Sequence, residues 1–264
     1  MARFLLGFYV TIFVLFLLAP ILAITAGSFT DTSYVVFPPQ GFTFKWYFAA
    51  VEQQTLMQAL GLSLALAAGS ATLATVLALP LAIAFHGSGS LLNRVIYVLA
   101  MTPAMLPAVF LGLALLIMYS RMGFGGTRWS LVAGHVVMAL PFALSLIAVG
   151  LSALDGSLER AARSLGASPF QAFLRVTLPM IAWSLAAGWG FAFMISFGAL
   201  EVSLFLSTST MVTLPVQIYS WLDWSPLDPA LTAISSGVVI ITLAVLVVTA
   251  RLVRLDRFLK RGSV

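Results

Sequence analysis

The 264-residue sequence has no cysteine and few charged residues. Without cysteine, neither a disulfide framework nor a thiolate metal site can form. Charged residues make up 8% of the chain and hydrophobic residues 61%. That composition leaves too little polar surface to cover a water-soluble globule of this size. These scarcities predict an integral membrane protein whose solvent is largely lipid.

Motifs of nucleotide-hydrolysing and proteolytic enzymes are absent as well. No Gly-Lys pair occurs, so the chain lacks the G-x-x-x-x-G-K-[ST] loop that cradles nucleotide phosphates. Neither G-x-S-x-G nor H-E-x-x-H is present, and the two histidines, His86 and His135, fall on opposite sides of the membrane in the topology below. We therefore predict no catalytic residue, no metal ligand and no enzymatic activity.

Six apolar runs are each long enough to cross a bilayer, which takes about 20 helical residues. They lie near Phe4 to Ala26, Leu56 to Phe85, Val95 to Tyr119, Leu131 to Ala153, Leu178 to Phe205 and Pro229 to Leu252. The pattern predicts an all-α bundle of six transmembrane helices that forms one domain over residues 1–264. The first run could instead be a cleaved signal peptide, but its apolar core is longer than such a peptide needs and five spans follow it.

Lysine and arginine in the loops predict the orientation of the bundle. With the N-terminus inside, ten of the 13 basic residues lie on the cytoplasmic side, and both termini face the cytoplasm. The basic tail, residues 251–264, is then a stop-transfer anchor; a patch for anionic lipid or nucleic acid is the alternative. We expect no nucleic-acid partner.

Prolines and small residues mark special positions within the spans. Pro103 and Pro107 interrupt the third span, which indicates either a transport path or ordinary kinks tolerated in a bundle. Four small residues of the second span predict close helix contact: Gly61, Ala65, Ala68 and Gly69.

The cytoplasmic loop of residues 154–178 carries dense helix signals. Ser157 is a candidate cap for a short helix that ends at Gly166. Ser168, Pro169 and Gln171 form a capping box for a second helix. A rigid helix-turn-helix can transmit motion from a soluble partner to the spans beside it. The alternative is an amphipathic pair lying on the inner leaflet.

The same loop resembles a known signature. Its pattern Ala161-Ala162, Gly166-Ala167, Phe173 and Leu178-Pro179 is similar to the EAA motif of permease subunits of bacterial binding-protein-dependent ABC importers. The sequence departs from that motif at Arg160, where the family usually has glutamate, and Glu159 precedes it. The resemblance implies a type I ABC importer permease fold with a coupling helix between the fourth and fifth spans. The residues it assigns to ATPase coupling are Glu159, Arg160, Ala161, Ala162, Gly166, Ala167 and Pro179.

Three further runs resemble permeases of the polyamine (spermidine and putrescine) type: GFTFKWY at residues 41–47, ALPF at 139–142 and LPVQIYS at 214–220. That subgroup usually has an acidic pair late in the fifth span, where this sequence has Gly198 and Ala199, and the nearest carboxylate is Glu201. The resemblance implies polyamine import, with an aminophosphonate, another amino compound or ferric iron as alternatives. A self-contained secondary transporter or channel is the alternative from another class.

The family resemblance also implies the assembly and its location. The chain would sit in the bacterial inner membrane, paired with a second permease subunit in a heterodimer and surrounded by lipid. Two ATPase subunits would bind ATP and magnesium, which leaves this chain without a cofactor, and an extracytoplasmic binding protein would deliver the substrate.

Candidate residues for the translocation path lie in the third and fifth spans: Thr102, Trp189, Phe193, Ser196 and Glu201. Trp189, Phe193 and Ser196 share one helix face by spacing, which ordinary packing explains equally well. Glu201 lies 22 residues after Pro179, about 33 Å along a helix, either in an entry vestibule or at the membrane interface. His135 is expected at the outer interface.

Overall fold

The computed structural model describes residues 2–87, 90–224 and 228–243, and most of these are helical, which confirms the all-α class. The helices are α1 (Ala2–Gly27), α2 (Lys45–Glu52), α3 (Gln54–Gly87), α4 (Leu91–Met101), α5 (Ala108–Arg121), α6 (Arg128–Ser152), α7 (Ser157–Ser164), α8 (Pro169–Ala172), α9 (Leu178–Met180), α10 (Ala182–Phe197), α11 (Leu200–Leu206), α12 (Leu214–Trp224) and α13 (Pro229–Leu243).

Three helices are long and apolar enough to cross a membrane unbroken, namely α1, α3 and α6. Two bent pairs are further candidate spans: the segment Leu91–Met105 meets α5 at 112°, and the segment Pro169–Met180 meets α10 at 66°. The predicted sixth span is helical from Pro229 to Leu243, and its remainder lies outside the described residues. A count of six spans therefore stays a prediction.

The third span is broken, whereas the sequence predicted one run from Val95 to Tyr119. The helix α4 ends at Met101, a 3-10 turn covers Thr102–Met105, and α5 begins after Pro107. Two prolines four residues apart remove two backbone donors, and each ring clashes with the preceding helical turn. Because irregular backbone is not stable against lipid, this bend faces protein or a water-filled cavity.

The fifth span is also shorter than predicted. α10 ends at Phe197 instead of continuing to Phe205, and Ala199 adopts an extended conformation with ψ 93° before α11 begins. Gly198 at the break lacks the side chain that favours a helix, and glycine costs about 1 kcal/mol relative to alanine within one. α10 and α11 are therefore separate elements joined by a two-residue break.

The described residues fall into two compact units, one made of residues 58–217 and the other of the described residues before 58 and after 217. A single domain over residues 1–264 stays a prediction. In the larger unit, one row of α3 packs against α6 and α10. That row consists of fully buried alanines: Ala71, Ala74, Ala78 and Ala82.

The helix face that the sequence predicted for close contact in the second span was wrong, since within the described part of this chain no helix packs closely against Gly61 or Gly69. A Cβ added at Gly61 or Gly69 would meet no atom within 4 Å, and Ala65 is exposed. The alanine row lies on another side of α3, because alanine allows the same close approach as glycine without its entropic cost.

A second cluster in the larger unit joins α5, α6 and α11, with Leu111 and Leu115 packed near Val202 and Leu206. Gly112 allows this contact, since a Cβ there would lie 3.1 Å from the carbonyl oxygen of Glu201 and 3.3 Å from the Cα of Val202. α11 is thus held directly against the backbone of α5.

In the smaller unit, a hydroxyl cluster joins α2 to residues near α1 and in α13. The phenol oxygen of Tyr47 lies 2.7 Å from Ser28 Oγ and 2.7 Å from Ser236 Oγ. These hydrogen bonds satisfy polar groups that would otherwise be buried alone. The side chains of α1 are largely exposed, as expected for a helix whose neighbour is lipid or another subunit.

Candidate coupling segment and translocation residues

The short helix α7 begins one residue earlier than the cap prediction required, with Gly156 in the cap position. Ser157 is its first helical residue, and Asp155 does the capping: the Ser157 N–H donates to Asp155 Oδ1 at 2.9 Å, and the Ser157 hydroxyl donates to Oδ2. These two hydrogen bonds, with a smaller effect of the Arg160 charge, lower the pKa of Asp155. Aspartate outperforms serine here because its charge also suits the positive end of the helix.

The end of α7 is a Schellman motif centred on Gly166. The Ala167 N–H donates to the Ala162 carbonyl at 3.1 Å, and the Gly166 N–H donates to the Arg163 carbonyl at 3.1 Å. This pattern requires a left-handed residue at Gly166, whose φ is +92°. The predicted turn at Gly166 is confirmed, and its backbone explains why glycine occupies the position.

The predicted capping box after the turn is present. The Gln171 N–H donates to Ser168 Oγ at 3.2 Å, and the Ser168 N–H donates to Gln171 Oε1 at 3.0 Å, with Pro169 in the first helical turn. The second helix then widens into a π-helical turn at Phe173–Thr177. Pro179 follows in α9, where it cannot donate a backbone hydrogen bond.

A buried side-chain bond ties α7 to this π-helical turn. Thr177 is 7% exposed, and its hydroxyl donates to Glu159 Oε2 at 2.9 Å. Glu159 therefore points back toward the base of the fifth span, while Arg160 is exposed. The two adjacent residues of the signature consequently have different surroundings.

The outward side of the segment carries three apolar side chains beside the exposed Arg160 and Arg163. Leu158, Leu165 and Phe170 are 48%, 90% and 68% exposed, respectively. Behind the segment, a cleft of about 340 Å³ opens between its inner side and the ends of α3 and α6, with His86 and Leu151 in its wall. The segment thus presents both apolar and basic side chains outward.

The predicted path residues of α10 do not all point the same way. The indole N–H of Trp189 donates to Thr72 Oγ1 at 3.0 Å, and its ring stacks on Phe193 with centroids 5.5 Å apart. Phe193 stacks in turn on Phe197 at 5.9 Å. Ser196 is buried at 3% exposure and bonds to His135 instead. An aromatic row continued by Phe197, which the sequence did not single out, replaces the predicted Trp-Phe-Ser face.

The remaining two path candidates lie at breaks in the helices. Thr102 begins the 3-10 turn of the third span and donates its hydroxyl to the Val98 carbonyl at 3.0 Å. Glu201 is partly exposed in the first turn of α11, and within the described residues no hydrogen bond or ion pair of its carboxylate is found. That these residues line a path stays a prediction.

His135 is buried within the protein, whereas the sequence-based expectation placed it at the outer interface. It is 1% exposed, with Nδ1 2.8 Å from Ser196 Oγ and Nε2 3.0 Å from Ser203 Oγ. Its distance from the end of the fourth span gave no indication of this. Ser196 and Ser203 lie in two different helices on either side of the break, so no local spacing in the sequence indicated their shared contact with His135.

Comparison with known proteins places this geometry in context. Residues 74–262 match the family described as "Binding-protein-dependent transport system inner membrane component". The spermidine/putrescine transport system permease protein PotC of Escherichia coli (strain K12) is 30% identical over 97% of this chain and 96% of its own length. The putrescine transport system permease protein PotI of the same organism is 32% identical over 78% of this chain and 75% of its own.

A solved structure has the same fold. The crystal structure of a bacterial ABC transporter involved in the import of the acidic polysaccharide alginate superposes with a TM-score of 0.70. The alignment covers 96% of this chain and 95% of that one, at 14% sequence identity. At this identity the likeness establishes the arrangement of helices and not the cargo.

Proposed function

The chain belongs to the family of inner membrane components of binding-protein-dependent transport systems, and from this premise we propose that it is one half of the permease of an ATP-driven polyamine importer. Its relatives are permease subunits of spermidine/putrescine and putrescine transport systems. ATP hydrolysis belongs to separate subunits, since this chain has no phosphate-binding loop.

The stacked row of Trp189, Phe193 and Phe197 is the observation that carries the choice of a cationic cargo. Ring faces attract ammonium groups, by about 0.5–1 kcal/mol at exposed sites and more where water is excluded. Because Phe193 stacks on both neighbours, the faces left for a linear molecule with more than one ammonium group are the outer faces of Trp189 and Phe197. Glu201, a carboxylate without a protein partner in the described residues, adds the matching charge.

The segment from Ser157 to Ala167 is the proposed contact with the ATPase. Asp155 at the start, the Gly166 turn at the end and the Glu159–Thr177 bond all restrict its motion relative to the fifth span. A segment held in this way transmits displacement instead of absorbing it. The exposed apolar side chains of the segment support docking in a groove of the partner.

The assembly follows from this role. We place both termini in the cytoplasm, a second permease subunit beside this chain, two ATPase subunits under the coupling segments and an extracytoplasmic binding protein at the outer loops. Closure of the ATPases would turn the cavity outward, and release of hydrolysis products would turn it inward.

Transport by the reconstituted complex tests the cargo. In proteoliposomes with an enclosed ATP supply, we expect uptake of radiolabelled putrescine that excess spermidine competes away and 2-aminoethylphosphonate does not. Glu201→Gln should raise the KM of uptake about fivefold, the effect of losing a partly exposed charge pair of about 1 kcal/mol. The control Glu52→Gln removes an exposed carboxylate in α2 and should leave KM unchanged. Uptake of the phosphonate or of ferric iron in place of polyamines would refute the proposed cargo.

Crosslinking tests the coupling contact. Because the chain has no cysteine, Arg160→Cys introduces its only thiol. We expect that thiol to crosslink to the nucleotide-hydrolysing subunit and Arg94→Cys, in the first turn of α4 on the same predicted side, not to do so. A crosslink pattern that places residue 160 on the outer side, or away from the ATPase, would contradict the proposed role.

A further inference from the structure

A buried histidine joins the two sides of the break in the fifth span. His135 of α6 contacts Ser196, in the last turn of α10, and Ser203, in the middle of α11. The break at Gly198–Ala199 lies between these two serines. One imidazole therefore spans the point at which the helix is interrupted.

The hydrogen bonds in this cluster have a defined direction. Ser203 Oγ donates to the Ala199 carbonyl at 2.5 Å. With its proton committed there, Ser203 Oγ accepts from His135 Nε2, and Nδ1 of the neutral ring then accepts from the Ser196 hydroxyl. The Ala199 carbonyl is part of the break itself, so the chain of hydrogen bonds runs from the end of α10 through the imidazole of α6 to the start of α11.

Packing holds α11 from other sides but does not replace these bonds. Gly112 brings α5 against the backbone at Glu201 and Val202, and a Cβ at Gly134, next to His135, would collide with Leu206. Both contacts fix how closely α11 approaches its neighbours. Rotation of α11 about its own axis is opposed by the directional hydrogen bond to Ser203.

We propose that His135 is a positioning residue, which through Ser203 sets the rotation of α11 and with it the position of the Glu201 carboxylate. Glu201 lies two residues before Ser203, on a different side of the same short helix. The importance of Glu201 for transport rests on the proposed function. We call the pair of hydrogen bonds from His135 to Ser196 and Ser203 the clamp. The clamp itself rests only on these contacts of His135.

Two substitutions of His135 separate the clamp from simple filling of space. His135→Gln can still place a donor near the Nε2 position and retain Ser203, whereas His135→Asn retains only an acceptor near Ser196. Labelling of Glu201→Cys with a water-soluble maleimide reports on α11 in the whole complex in lipid nanodiscs, where both faces are accessible. We expect His135→Asn to raise the labelling rate about tenfold, as for one lost hydrogen bond, and His135→Gln to leave it unchanged.

Controls keep the result interpretable. Ser203→Ala should match His135→Asn, because it removes the same link and leaves the imidazole in place. Ser70→Ala removes a hydrogen bond from α3 to the Val132 carbonyl of α6, away from the break, and should have no effect. A thiol at Met122, 71% exposed at the end of α5, should react equally in all variants. Equal rates for His135→Asn and His135→Gln would overturn the clamp.

Transport measurements then test the link to Glu201. His135→Asn should raise the KM for putrescine in the natural sequence and add nothing in the Glu201→Gln background, because the two changes act through one group. Equal effects in both backgrounds would overturn the positioning role. If the unmodified complex imports no polyamine, the proposed cargo fails, while the labelling rates still decide the clamp.

Discussion

The hydrogen bond between Thr177 and Glu159 allows the coupling role to be tested with one hydroxyl group. Thr177→Val keeps the shape of the side chain and removes only the donor to Glu159 Oε2. A hydrogen bond to a charged group contributes about 1.5–3 kcal/mol. Because Glu159 is partly exposed, solvent screening reduces the expected contribution to about 1 kcal/mol, or a factor of about five.

The assay compares substrate moved with ATP consumed by the whole complex in proteoliposomes. We expect Thr177→Val to leave the basal ATPase rate unchanged and to lower the number of putrescine molecules imported per ATP about fivefold. The loosened segment would then move without moving the fifth span. Thr177→Ser keeps the hydroxyl and should retain most of the coupling. Thr242→Val, which removes an exposed hydroxyl bonded within α13, should have no effect.

An unchanged import-to-ATP ratio in Thr177→Val would refute this reasoning, because the bond would then carry no force. A fall in the amount of assembled complex, with a normal ratio for what remains, would refute it as well. In that case the bond would serve stability alone.

Three further predictions concern turns, packing and capping. Gly166→Val should lower uptake about tenfold with normal membrane insertion, because a left-handed residue with a side chain costs roughly 1–2 kcal/mol. The control Gly123→Val imposes similar strain in a loop remote from the coupling segment. Equal loss of uptake in both variants would contradict the role of Gly166. Gly188→Leu should reduce the yield of folded complex, since a Cβ there would lie 3.2 Å from a backbone oxygen of α6. The control Gly190→Leu places its side chain in open space. Equal thermal stability of the two purified variants would contradict this packing. Asp155→Ala should lower transport more than Asp155→Asn, which can still accept the Ser157 N–H. The pKa of Asp155 in the folded protein is depressed. Its capping contribution is therefore complete above the ordinary pKa of about 3.9 and is lost only as the pH falls through the lower folded pKa. Uptake measured between pH 5 and 8 should accordingly show no titration assignable to this residue.

The coupling segment was largely predictable because its signals are local. A serine, a proline and a glutamine at fixed spacing specify the box at Ser168, and Gly166 is required by a turn only a few residues long. The same locality explains the small error at Ser157. Two acceptors separated by Gly156 compete there, and the charged one, Asp155, lies upstream of Ser157.

The interior of the bundle was less predictable, because it depends on which faces meet. An apolar span gives little periodic signal, so the contact row of α3 could not be distinguished from the exposed positions Gly61 and Gly69. The environment of His135 depends on serines more than 60 residues away. Breaks at Pro103 and Gly198 could be suspected from composition, while the angles between the resulting helices could not.

The 112° bend in the third span has a consequence for the life of the protein before assembly. A copy inserted without the second permease subunit proposed above would turn this bend, with Met105 82% exposed beside it, toward acyl chains that cannot solvate peptide groups. Such an orphan should be short-lived, removed by membrane proteases that recognise defective spans. The cell would then have to synthesise the two halves in matched amounts, and surplus of either would be degraded instead of accumulating.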